Sequence, residues 1–560
     1  MKSSQILPHI LKKTVDEDPD RIAIHLIGAD GDEALSFHDL LHRSGGYARA
    51  FEHAGIQRGE VVVIILEHGA DLLQAFIGGI LMGAIPSIMP FLTEKLSPQR
   101  YRESLSALIA ITKPVAILTY PAFIEEVHAA LREGDSVRVV LDSSAVAQDD
   151  VLAIETMAGF DSKPEDIVFL QHSSGTTGLQ KGVALSHRAV INQIAAYAEA
   201  LQMTSVDTVV SWLPLYHDMG LITGFIMPLL LRSPLVLMSP FAWMRAPYKL
   251  FQAVSKYGGT LTWLPNFAYN YCARKIRDRD LVDVDLSTWR AVINCSEPMR
   301  WASQQMFLER FAPYGLKPQA LATCYAMAEN VFAVTQGGIN SPANVDEIDL
   351  LALQEEGRAV PAQGGAPSRL MLSAGTPIPE TELRVLDEQH KHLPERIIGE
   401  IALQSNCMLN GYFNRTDLEK EAFHDGWYLT GDLGYLAEGQ LYVSGRKKEM
   451  IIVGGKNIYP QDLEQIAADV EGVHPGRVVA FGIFNEQSGT EDVVVVAETD
   501  SENEDERRRI AGEIRLQVNK GTDIALRYVQ VVDRMWLLKT SSGKIARNAN
   551  REKYIAMVQN

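Results

Sequence analysis

The stretch HSSGTTGLQKG, residues 172–182, crowds serine, threonine and glycine residues ahead of one lysine. Glycines let backbone N–H groups close around an anion, and hydroxyl groups and a lysine add donors and charge. A P-loop has Ser or Thr directly after its lysine, whereas Gly182 follows Lys181 here, so that motif fails. The stretch predicts a phosphate-binding loop between a strand, DIVFLQHSS, and a helix, HRAVINQIAAYAEAL. The alternative is a flexible surface loop.

Apolar runs alternate with helix-like runs on both sides of this loop. The strand-like runs are GEVVVIIL, PVAILTY and SVRVVLD before it and TVVSWLP, SPLVLMS, GTLTWLP and RAVINC after it. This alternation is typical of largely parallel sheets covered by helices on both faces. Residues 338–370 are rich in Gly, Pro, Ala and acids, which indicates an insertion or a mobile loop.

Short strands with turn signals follow, and the pattern changes again near Arg446. We therefore predict an α/β fold in two domains. Residues 1–445 form a large N-terminal domain of mostly parallel sheets flanked by helices, with a small β-rich subdomain. Residues 446–560 form a small, mobile α+β C-terminal domain.

Composition narrows the classes of function. A chain of 560 residues is too long to fold around one ordinary hydrophobic core, so more than one domain is expected. Its content of 46% hydrophobic and 22% charged residues is usual for a globular protein. A net charge of −18 disfavours general binding to nucleic acid or to anionic membrane. Four cysteines without a Cys-x-x-Cys pair argue against a disulfide scaffold and a zinc site, and favour a reducing, cytoplasmic setting.

Two segments resemble targeting signals only superficially. The N-terminal MKSSQILPHILKKTVDEDPD has no long apolar core, so we do not expect a secretory signal. Residues 72–93 carry no charge and are long enough to span a bilayer. Their several Gly and Pro residues instead favour a buried helix that turns into a short strand, so no transmembrane segment is expected.

Four further motifs carry polar groups that would suit a nucleotide. LPLYHDMGL (213–221) holds His217 after a strand, and CYAMAEN (324–330) spaces Tyr325 and Glu329 four residues apart. YLTGDLGYL (428–436) places Asp432 in a turn, and LKTSSGKIAR (538–547) places Lys544 in a loop of small residues. Each motif alone is as well explained by ordinary packing or turn formation.

Together, and in this order, the five motifs resemble the adenylate-forming superfamily of acyl-CoA synthetases, amino-acid adenylation domains, luciferases and fatty acyl-AMP ligases. The resemblance covers nearly the whole chain. It is strongest to fatty acyl-AMP ligases in WLPNFAYNYCARKI (263–276), VDLSTWRAVINCSEPMR (284–300) and NIYPQDLE (457–464). The acidic segment 345–372 resembles the extra segment of that group.

The resemblance implies a role for each matching residue and two cofactors, ATP and Mg²⁺. The ATP phosphates would be held by Ser173, Ser174, Thr176, Thr177 and Lys181. The adenosine would be held by Ser296, Glu297, Pro298, Tyr325, Asp432 and Arg446. Glu329 and Thr176 would place Mg²⁺, and Lys544 would reach the site from the small domain around a hinge at Lys448. His217, Gly220, Trp263, Asn266 and Phe267 would border the acyl pocket, with His217 also close to the reaction.

These residue types suit the reaction that the resemblance implies, in which a carboxylate attacks the α-phosphorus of ATP. Positioning and positive charge matter more than a base, because the carboxylate is already ionised near pH 7. No G-x-S-x-G elbow or H-E-x-x-H motif is present. The pocket segments SPFAWM and WLPNFAYNY are apolar and lack a carboxylate for a substrate ammonium, which favours a fatty or other hydrophobic acid.

The acyl acceptor stays open between two thiols. The motifs that resemble fatty acyl-AMP ligases favour the phosphopantetheine arm of an acyl carrier protein. Lys181 and the glycine pattern of its loop resemble CoA ligases, so free CoA is the alternative. A luciferase-like oxygenase and a non-catalytic nucleotide-binding protein are two further readings. The joint presence of Lys544, Glu329 and Asp432 argues against the second.

Overall fold

The computed structural model describes residues 5–28, 31–91, 98–147, 153–173, 181–365, 367–453, 456–486, 490–522, 526–540 and 544–559. Its α-helices are α1 Leu7–Glu17, α2 Phe37–His53, α3 Ala70–Met82, α4 Pro98–Thr112, α5 Ile124–Ala130, α6 His187–Leu201, α7 Met227–Leu231, α8 Pro240–Arg245, α9 Tyr248–Tyr257, α10 Asn266–Lys275, α11 Trp301–Phe311, α12 Leu350–Glu356, α13 Thr416–Ala422, α14 Pro460–Ala468, α15 Glu504–Gly521 and α16 Arg547–Gln559.

The strands of the N-terminal part are β1 Ile22–Ile27, β2 Asp32–Ser36, β3 Val61–Ile65, β4 Ile85–Ile88, β5 Ala116–Thr119, β6 Val139–Asp142, β7 Ile167–Ser173, β8 Lys181–Ser186, β9 Val209–Ser211, β10 Leu235–Met238, β11 Leu261–Leu264, β12 Ala291–Asn294, β13 Leu321–Ala326 and β14 Ala333–Gly337. The later strands are β15 Val345–Asp349, β16 Ser368–Leu372, β17 Thr376–Pro377, β18 Thr381–Leu386, β19 Gly399–Ser405, β20 Gly411–Tyr412, β21 Phe423–His424, β22 Trp427–Ala437, β23 Gln440–Arg446, β24 Ile451–Val453, β25 Lys456–Ile458, β26 Val473–Asn485, β27 Thr490–Thr499 and β28 Tyr528–Val532.

Two mainly parallel sheets share the largest apolar core. One runs in the order β17-β14-β13-β12-β11-β9-β10-β1-β2 and the other in the order β20-β8-β7-β4-β3-β5-β6. Their inner strands are parallel, as in β3 beside β4 and β11 beside β12, and the antiparallel pairs lie towards the edges. Runs such as VVVII in β3 are buried at every position, as β-branched strands between helix layers should be. The predicted α/β fold is confirmed.

The setting of the glycine-rich loop differs from the prediction. We expected a strand, a turn and then helix α6, but β8 stands between the turn and the helix. β8 pairs antiparallel with β7 from Ser173 opposite Lys181 to Ile167 opposite Ser186. The apolar run KGVALS therefore folds back on β7 as the second arm of a hairpin, and α6 begins only after it.

The C-terminal part contains smaller, β-rich units. β18, β19, β22, β21 and β23 form an antiparallel sheet, and β26, β27 and β28 form another with one parallel pair. One apolar cluster runs from Ile451 to Val531 and draws all its members from beyond residue 450. This smaller C-terminal region agrees with the expected architecture, while the boundary at 445/446 and the mobility of the last unit stay predictions.

The segment that we expected to be an insertion or a mobile loop contains regular structure. Strands β15 and β16 pair along their full lengths, and α12 lies between them in sequence. Ile348 and Leu353 are fully buried against Tyr435 and Tyr442. Burial of these apolar side chains makes the segment part of the folded structure. Of the two interpretations of residues 338–370, the mobile loop was therefore wrong where β15, α12 and β16 form. The insertion stays a prediction.

The uncharged stretch at 72–93 forms the buried helix α3 and the strand β4, as predicted. Gly83 ends the helix in the left-handed conformation, at φ 81°, where a glycine avoids strain. Among the described residues, no helix has both the length and the apolar character needed to cross a bilayer.

Candidate active site

The two ends of the predicted phosphate loop are held together by the hairpin. Ser173 is the last residue of β7 and pairs with Lys181, the first residue of β8. Ser174, Thr176 and Thr177 lie outside the described residues, as does the rest of 174–180. Ser173 and Lys181 therefore mark the two ends of the predicted loop.

Lys181 and Glu329 meet through a tyrosine that sequence analysis missed. The Lys181 Nζ atom lies 4.8 Å from the centre of the Tyr412 ring, and the Tyr412 hydroxyl donates to Glu329 Oε1 at 2.9 Å. Burial raises the pKa of Tyr412, so its hydroxyl stays protonated and can donate. The glycine–tyrosine turn in LNGYFN was the available signal, but the sequence does not indicate its partner.

Tyr325, Asp432 and Arg446 form one hydrogen-bonded group. The Tyr325 hydroxyl donates to Asp432 Oδ2 at 2.7 Å, and Arg446 Nε lies 3.2 Å from Asp432 Oδ1. Asp432 stands opposite Arg446 in the β22–β23 ladder, which brings the two side chains together. Burial raises the pKa of Asp432, and the attraction of Arg446 and the tyrosine hydrogen bond only partly offset that effect. The three predicted adenosine contacts are thus adjacent.

The predicted adenine wall contains a strained residue. Ser296 has φ 67°, an uncommon conformation for a residue with a side chain. Its hydroxyl contacts Met219 Sδ and Cys295 Sγ, both at 3.6 Å. Glu297 Oε2 accepts the backbone N–H of Phe267 at 2.9 Å, and Pro298 is exposed. This wall therefore contacts both the His217 segment, through Met219, and the start of α10.

His217 and Gly220 lie where a strand end meets a buried π-helix. The His217 Nδ1 atom is 2.9 Å from Asp218 Oδ1, and the π-helix spans Met219–Ile226. A Cβ atom at Gly220 would lie 2.2 Å from the carbonyl oxygen of Pro214, so only glycine fits. π-Turns are rare and are frequently found at functional sites.

Lys544 lies within electrostatic range of this site from the C-terminal part of the chain. Burial opposes ionisation of Asp218, but hydrogen bonds from His217 and the Met219 N–H, with the positive charge of Lys544, leave its pKa lowered. The Lys544 ammonium also acts to lower the pKa of Asp432. Both carboxylates belong to the large region, so the charge of Lys544 acts on that region from the C-terminal part.

The residues predicted to border the acyl pocket occupy different surroundings. Trp263 is buried in β11 and donates through Nε1 to the Tyr197 hydroxyl at 2.8 Å. Asn266 is held by Ser303 and Asn294 through side-chain hydrogen bonds of 3.1 and 3.0 Å. Phe267 is the most open of the three, at 38% exposure.

Phe267 contacts an aromatic pair that the sequence did not reveal. Trp212 and Trp243 stack with ring centres 3.6 Å apart and planes within 2° of parallel. The Phe267 ring lies edge-on to both indoles, at 6.3 and 6.2 Å. Trp212 directly follows β9, and the fully buried Trp243 lies on α8. The wall beside Phe267 is therefore aromatic and apolar.

Lys448, the predicted hinge, lies between two anchored neighbours. Lys447 Nζ is 2.8 Å from Glu400 Oε2 on β19. Glu449 forms an ion pair with Arg547 at the start of α16. The three residues form a single 3₁₀ turn after β23. Lys447 therefore holds to the antiparallel sheet that contains β19, and Glu449 holds to helix α16 of the C-terminal unit.

Comparisons with known proteins identify related enzymes. Residues 11–413 match the family model of the AMP-binding enzymes. The long-chain-fatty-acid–AMP ligase FadD26 of Mycobacterium bovis is 30% identical, over 98% of this chain and 97% of its own. The medium-chain-fatty-acid–acyl-carrier-protein ligase JamA of Moorena producens is 30% identical, over 93% of this chain and 90% of its own. A solved structure from work on the fatty acyl-adenylate ligases of E. coli and L. pneumophila superposes with a TM-score of 0.90. It is 26% identical and covers 99% of this chain and 98% of its own.

Proposed function

The chain belongs to the AMP-binding enzyme family, and from that premise we propose that it activates a fatty or other hydrophobic carboxylic acid as an acyl-adenylate. The hydrogen-bonded group of Tyr325, Asp432 and Arg446 carries the proposal, because its carboxylate and its aromatic ring suit the ribose and the base of a nucleotide. The substrate class follows the aromatic wall at Phe267 and the fatty acid ligases among the relatives.

In the proposed reaction a carboxylate oxygen bonds to the α-phosphorus of ATP, and the bond from that phosphorus to the bridging oxygen breaks. Pyrophosphate leaves with the bond's electron pair, and no proton has to move. The triphosphate and the carboxylate repel each other, so fixed positive charge lowers the barrier. Lys181 would hold the phosphates, and Lys544 would stabilise charge that develops during the transfer.

The residues present fit a magnesium ion. Mg²⁺ is usually bound by one or two carboxylates together with substrate phosphates, and not by an all-protein cage. The described residues contain no cluster of three His, Cys, Asp or Glu side chains suited to a metal. Glu329 and Thr176 would bind the ion with the ATP phosphates, and the ion would neutralise phosphate charge. The hydrogen bond from Tyr412 engages Glu329 Oε1, and orientation of the carboxylate by this bond supports the role.

We propose the phosphopantetheine thiol of an acyl carrier protein as the acyl acceptor, in preference to free CoA. The thiolate sulfur would bond to the acyl carbon, and AMP would leave. The segment 345–372 supports this choice because it contacts both parts of the molecule. Asp346 pairs with Arg396 at 2.9 Å, while Glu355 pairs with Lys456 and Arg369 with Asp462, at 2.8 and 2.9 Å. Such contacts would restrain rotation of the C-terminal unit and obstruct a path for free CoA.

The charges of the C-terminal unit give little support to carrier docking. The arginines of the C-terminal unit could form a basic patch for an acidic carrier. Each has an acidic neighbour, however: Arg477 with Glu498, Arg507 with Asp533, Arg508 with Asp505 and Arg509 with Glu506. The proposal therefore depends on segment 345–372 and not on these arginines.

The test has two stages. Enzyme, ATP and Mg²⁺ are combined with saturated fatty acids of graded length, and pyrophosphate release is measured against a reaction without acid. Release that depends on the acid is expected, and its absence with every acid would overturn the proposal. Free CoA or a holo carrier protein is then added and the thioester is measured by mass spectrometry. Equal or better transfer to CoA would reject the carrier assignment while leaving adenylation intact.

A further inference from the structure

We infer that Tyr412 is a positioning residue that fixes Glu329 and Lys181 for the magnesium–triphosphate complex. The inference rests on the proposed function, because it takes those two side chains as contacts for the metal and the phosphates. Tyr412 is only 2% exposed.

Tyr412 lies where three sheets meet. Its own strand, β20, pairs with β8, which begins at Lys181, in the sheet that also contains β3. Glu329 follows β13 of the nine-stranded sheet. Tyr428 is the second residue of the long strand β22 of the antiparallel sheet, and its hydroxyl lies 2.9 Å from the Tyr412 hydroxyl. One phenol therefore joins parts of the chain that no single element could position together.

The hydrogen bonds around Tyr412 have only one consistent direction. The Tyr412 hydroxyl donates to Glu329 Oε1, and this bond uses the single proton that a phenol hydroxyl carries. Tyr428 must then donate to the Tyr412 oxygen. The same stretch of chain also holds the backbone of Glu329, because the Leu409 N–H donates to the Glu329 carbonyl at 2.8 Å. Both ends of Glu329 are thus fixed by residues 409–412, as second-shell groups fix metal ligands.

The ring of Tyr412 acts on Lys181 differently. An ammonium 4.8 Å from the ring centre is attracted by the π-face. A carboxylate in this position would neutralise the lysine, whereas a ring orients the ammonium and leaves its full charge for a phosphate. The hydroxyl of Tyr412 therefore orients Glu329, and the face of its ring orients Lys181.

Substitutions separate these two effects. Tyr412→Phe removes the hydroxyl and keeps the ring, and Tyr412→Leu removes both. Tyr435→Phe is the matched control, because Tyr435 is also buried and donates to a carboxylate, Asp346, at 2.9 Å. Pyrophosphate release is measured against Mg²⁺ concentration, and thermal unfolding of each variant is recorded. Binding of α,β-methylene ATP is measured by calorimetry with and without Mg²⁺.

Tyr412→Phe is expected to raise the half-saturating Mg²⁺ concentration about tenfold or more, the usual effect of losing a second-shell partner. Binding of the analogue without Mg²⁺ should change little in Tyr412→Phe and weaken roughly three- to tenfold in Tyr412→Leu. Tyr435→Phe should leave both quantities unchanged while lowering the melting temperature by an amount similar to Tyr412→Phe.

A double-mutant cycle supplies the decisive comparison. If Tyr412 acts through Glu329, then Tyr412→Phe should have no further effect on the Mg²⁺ dependence in a Glu329→Gln background. An unaltered Mg²⁺ dependence in Tyr412→Phe, with wild-type enzyme active, would overturn the inference. Absence of acid-dependent pyrophosphate release in the wild type would instead reject the proposed function.

Discussion

The hydroxyl of Tyr325 and a carboxylate oxygen of Asp432 lie 2.7 Å apart, although 107 positions separate them in the chain. Tyr325 is the next-to-last residue of β13 in the nine-stranded sheet, and Asp432 lies in the antiparallel sheet. Their hydrogen bond joins the two sheets at the proposed adenosine site. A change in the charge of Asp432 should therefore disturb the contacts of Tyr325 and Arg446 together.

We expect the KM for ATP to rise as pH falls, beginning at a higher pH than an ordinary aspartate would produce. Burial raises the pKa of Asp432, so its carboxyl becomes protonated sooner on acidification. The neutral form loses the Arg446 ion pair and accepts ribose hydroxyls poorly. Initial rates from neutral pH downward measure the effect. Asp432→Asn should bind ATP weakly at every pH, and a variant that keeps the wild-type profile would assign the titration to another group.

Lys544→Ala should reduce pyrophosphate release by about 10²-fold or more, the scale of losing one preorganised charge-stabilising donor. Transfer from a pre-made acyl-adenylate should decrease much less, because that step develops no charge on a pyrophosphate. Lys520→Ala, at an exposed position of α15, is the control for a lost lysine in the same unit. Equal losses in both half-reactions would contradict this role for Lys544.

Lys448→Pro should spare adenylation, or slow it modestly, and block transfer to the acceptor thiol. Proline fixes φ at the one residue between the anchored Lys447 and Glu449, so the backbone there could no longer rotate. Single-turnover assays of each half-reaction measure the split. The control variant Lys448→Ala keeps backbone freedom and should transfer the acyl group normally. Full transfer by the proline variant would show that Lys448 is not the hinge.

The double substitution Glu355→Ala with Arg369→Ala should increase acyl-CoA formation by roughly two- to tenfold. It removes two partly exposed ion pairs between the segment 345–372 and the C-terminal unit, which are worth up to about 1 kcal/mol each. Transfer to a carrier protein should change little. Arg358→Ala, whose partner Glu356 lies in the same segment, is the matched control. Unchanged CoA turnover in the double variant would show that these contacts do not determine the choice of acceptor.

Gly220→Ala should destabilise the protein by about 1–3 kcal/mol or more, because the new methyl group would overlap the Pro214 carbonyl. Relief of that overlap would displace His217 and lower pyrophosphate release. Gly512→Ala is the opposite control, since nothing lies within 4 Å of its added Cβ on helix α15. It should raise the free energy of unfolding by about 0.5–1 kcal/mol. Denaturant unfolding distinguishes the two.

Local pattern was enough to predict much of the fold. Helix α6 was expected at 187–201 and occupies His187–Leu201, and GEVVVIIL contains β3. These elements are determined by hydrophobic periodicity within the segment itself. The hairpin of β7 and β8 was missed because its pairing depends on where the chain returns after the glycine-rich loop. The order in segment 345–372 was missed because its apolar side chains are buried against Tyr435 and Tyr442, which lie far along the chain.

The candidate site shows the same limit. Tyr325, Glu329, Asp432 and Lys544 were singled out because motifs mark them, and their roles stay predictions. Tyr412, Trp212 and Trp243 belong to no such motif, and they gain significance only from tertiary contacts. A single sequence does not indicate that a phenol will fall between a lysine and a glutamate.

In the π-helix Met219–Ile226, the number of residues matters as well as their identity. A π-turn is an α-turn widened by one residue. Deleting one position here would restore α-helical winding but rotate the preceding chain by about 100°, since each α-helical residue turns by that angle. The His217–Asp218 pair would then change its orientation relative to the rest of the candidate site. Single-residue deletions across 219–226 should therefore abolish activity even where conservative replacements are tolerated, and active relatives should preserve the spacing from His217 to the end of this helix.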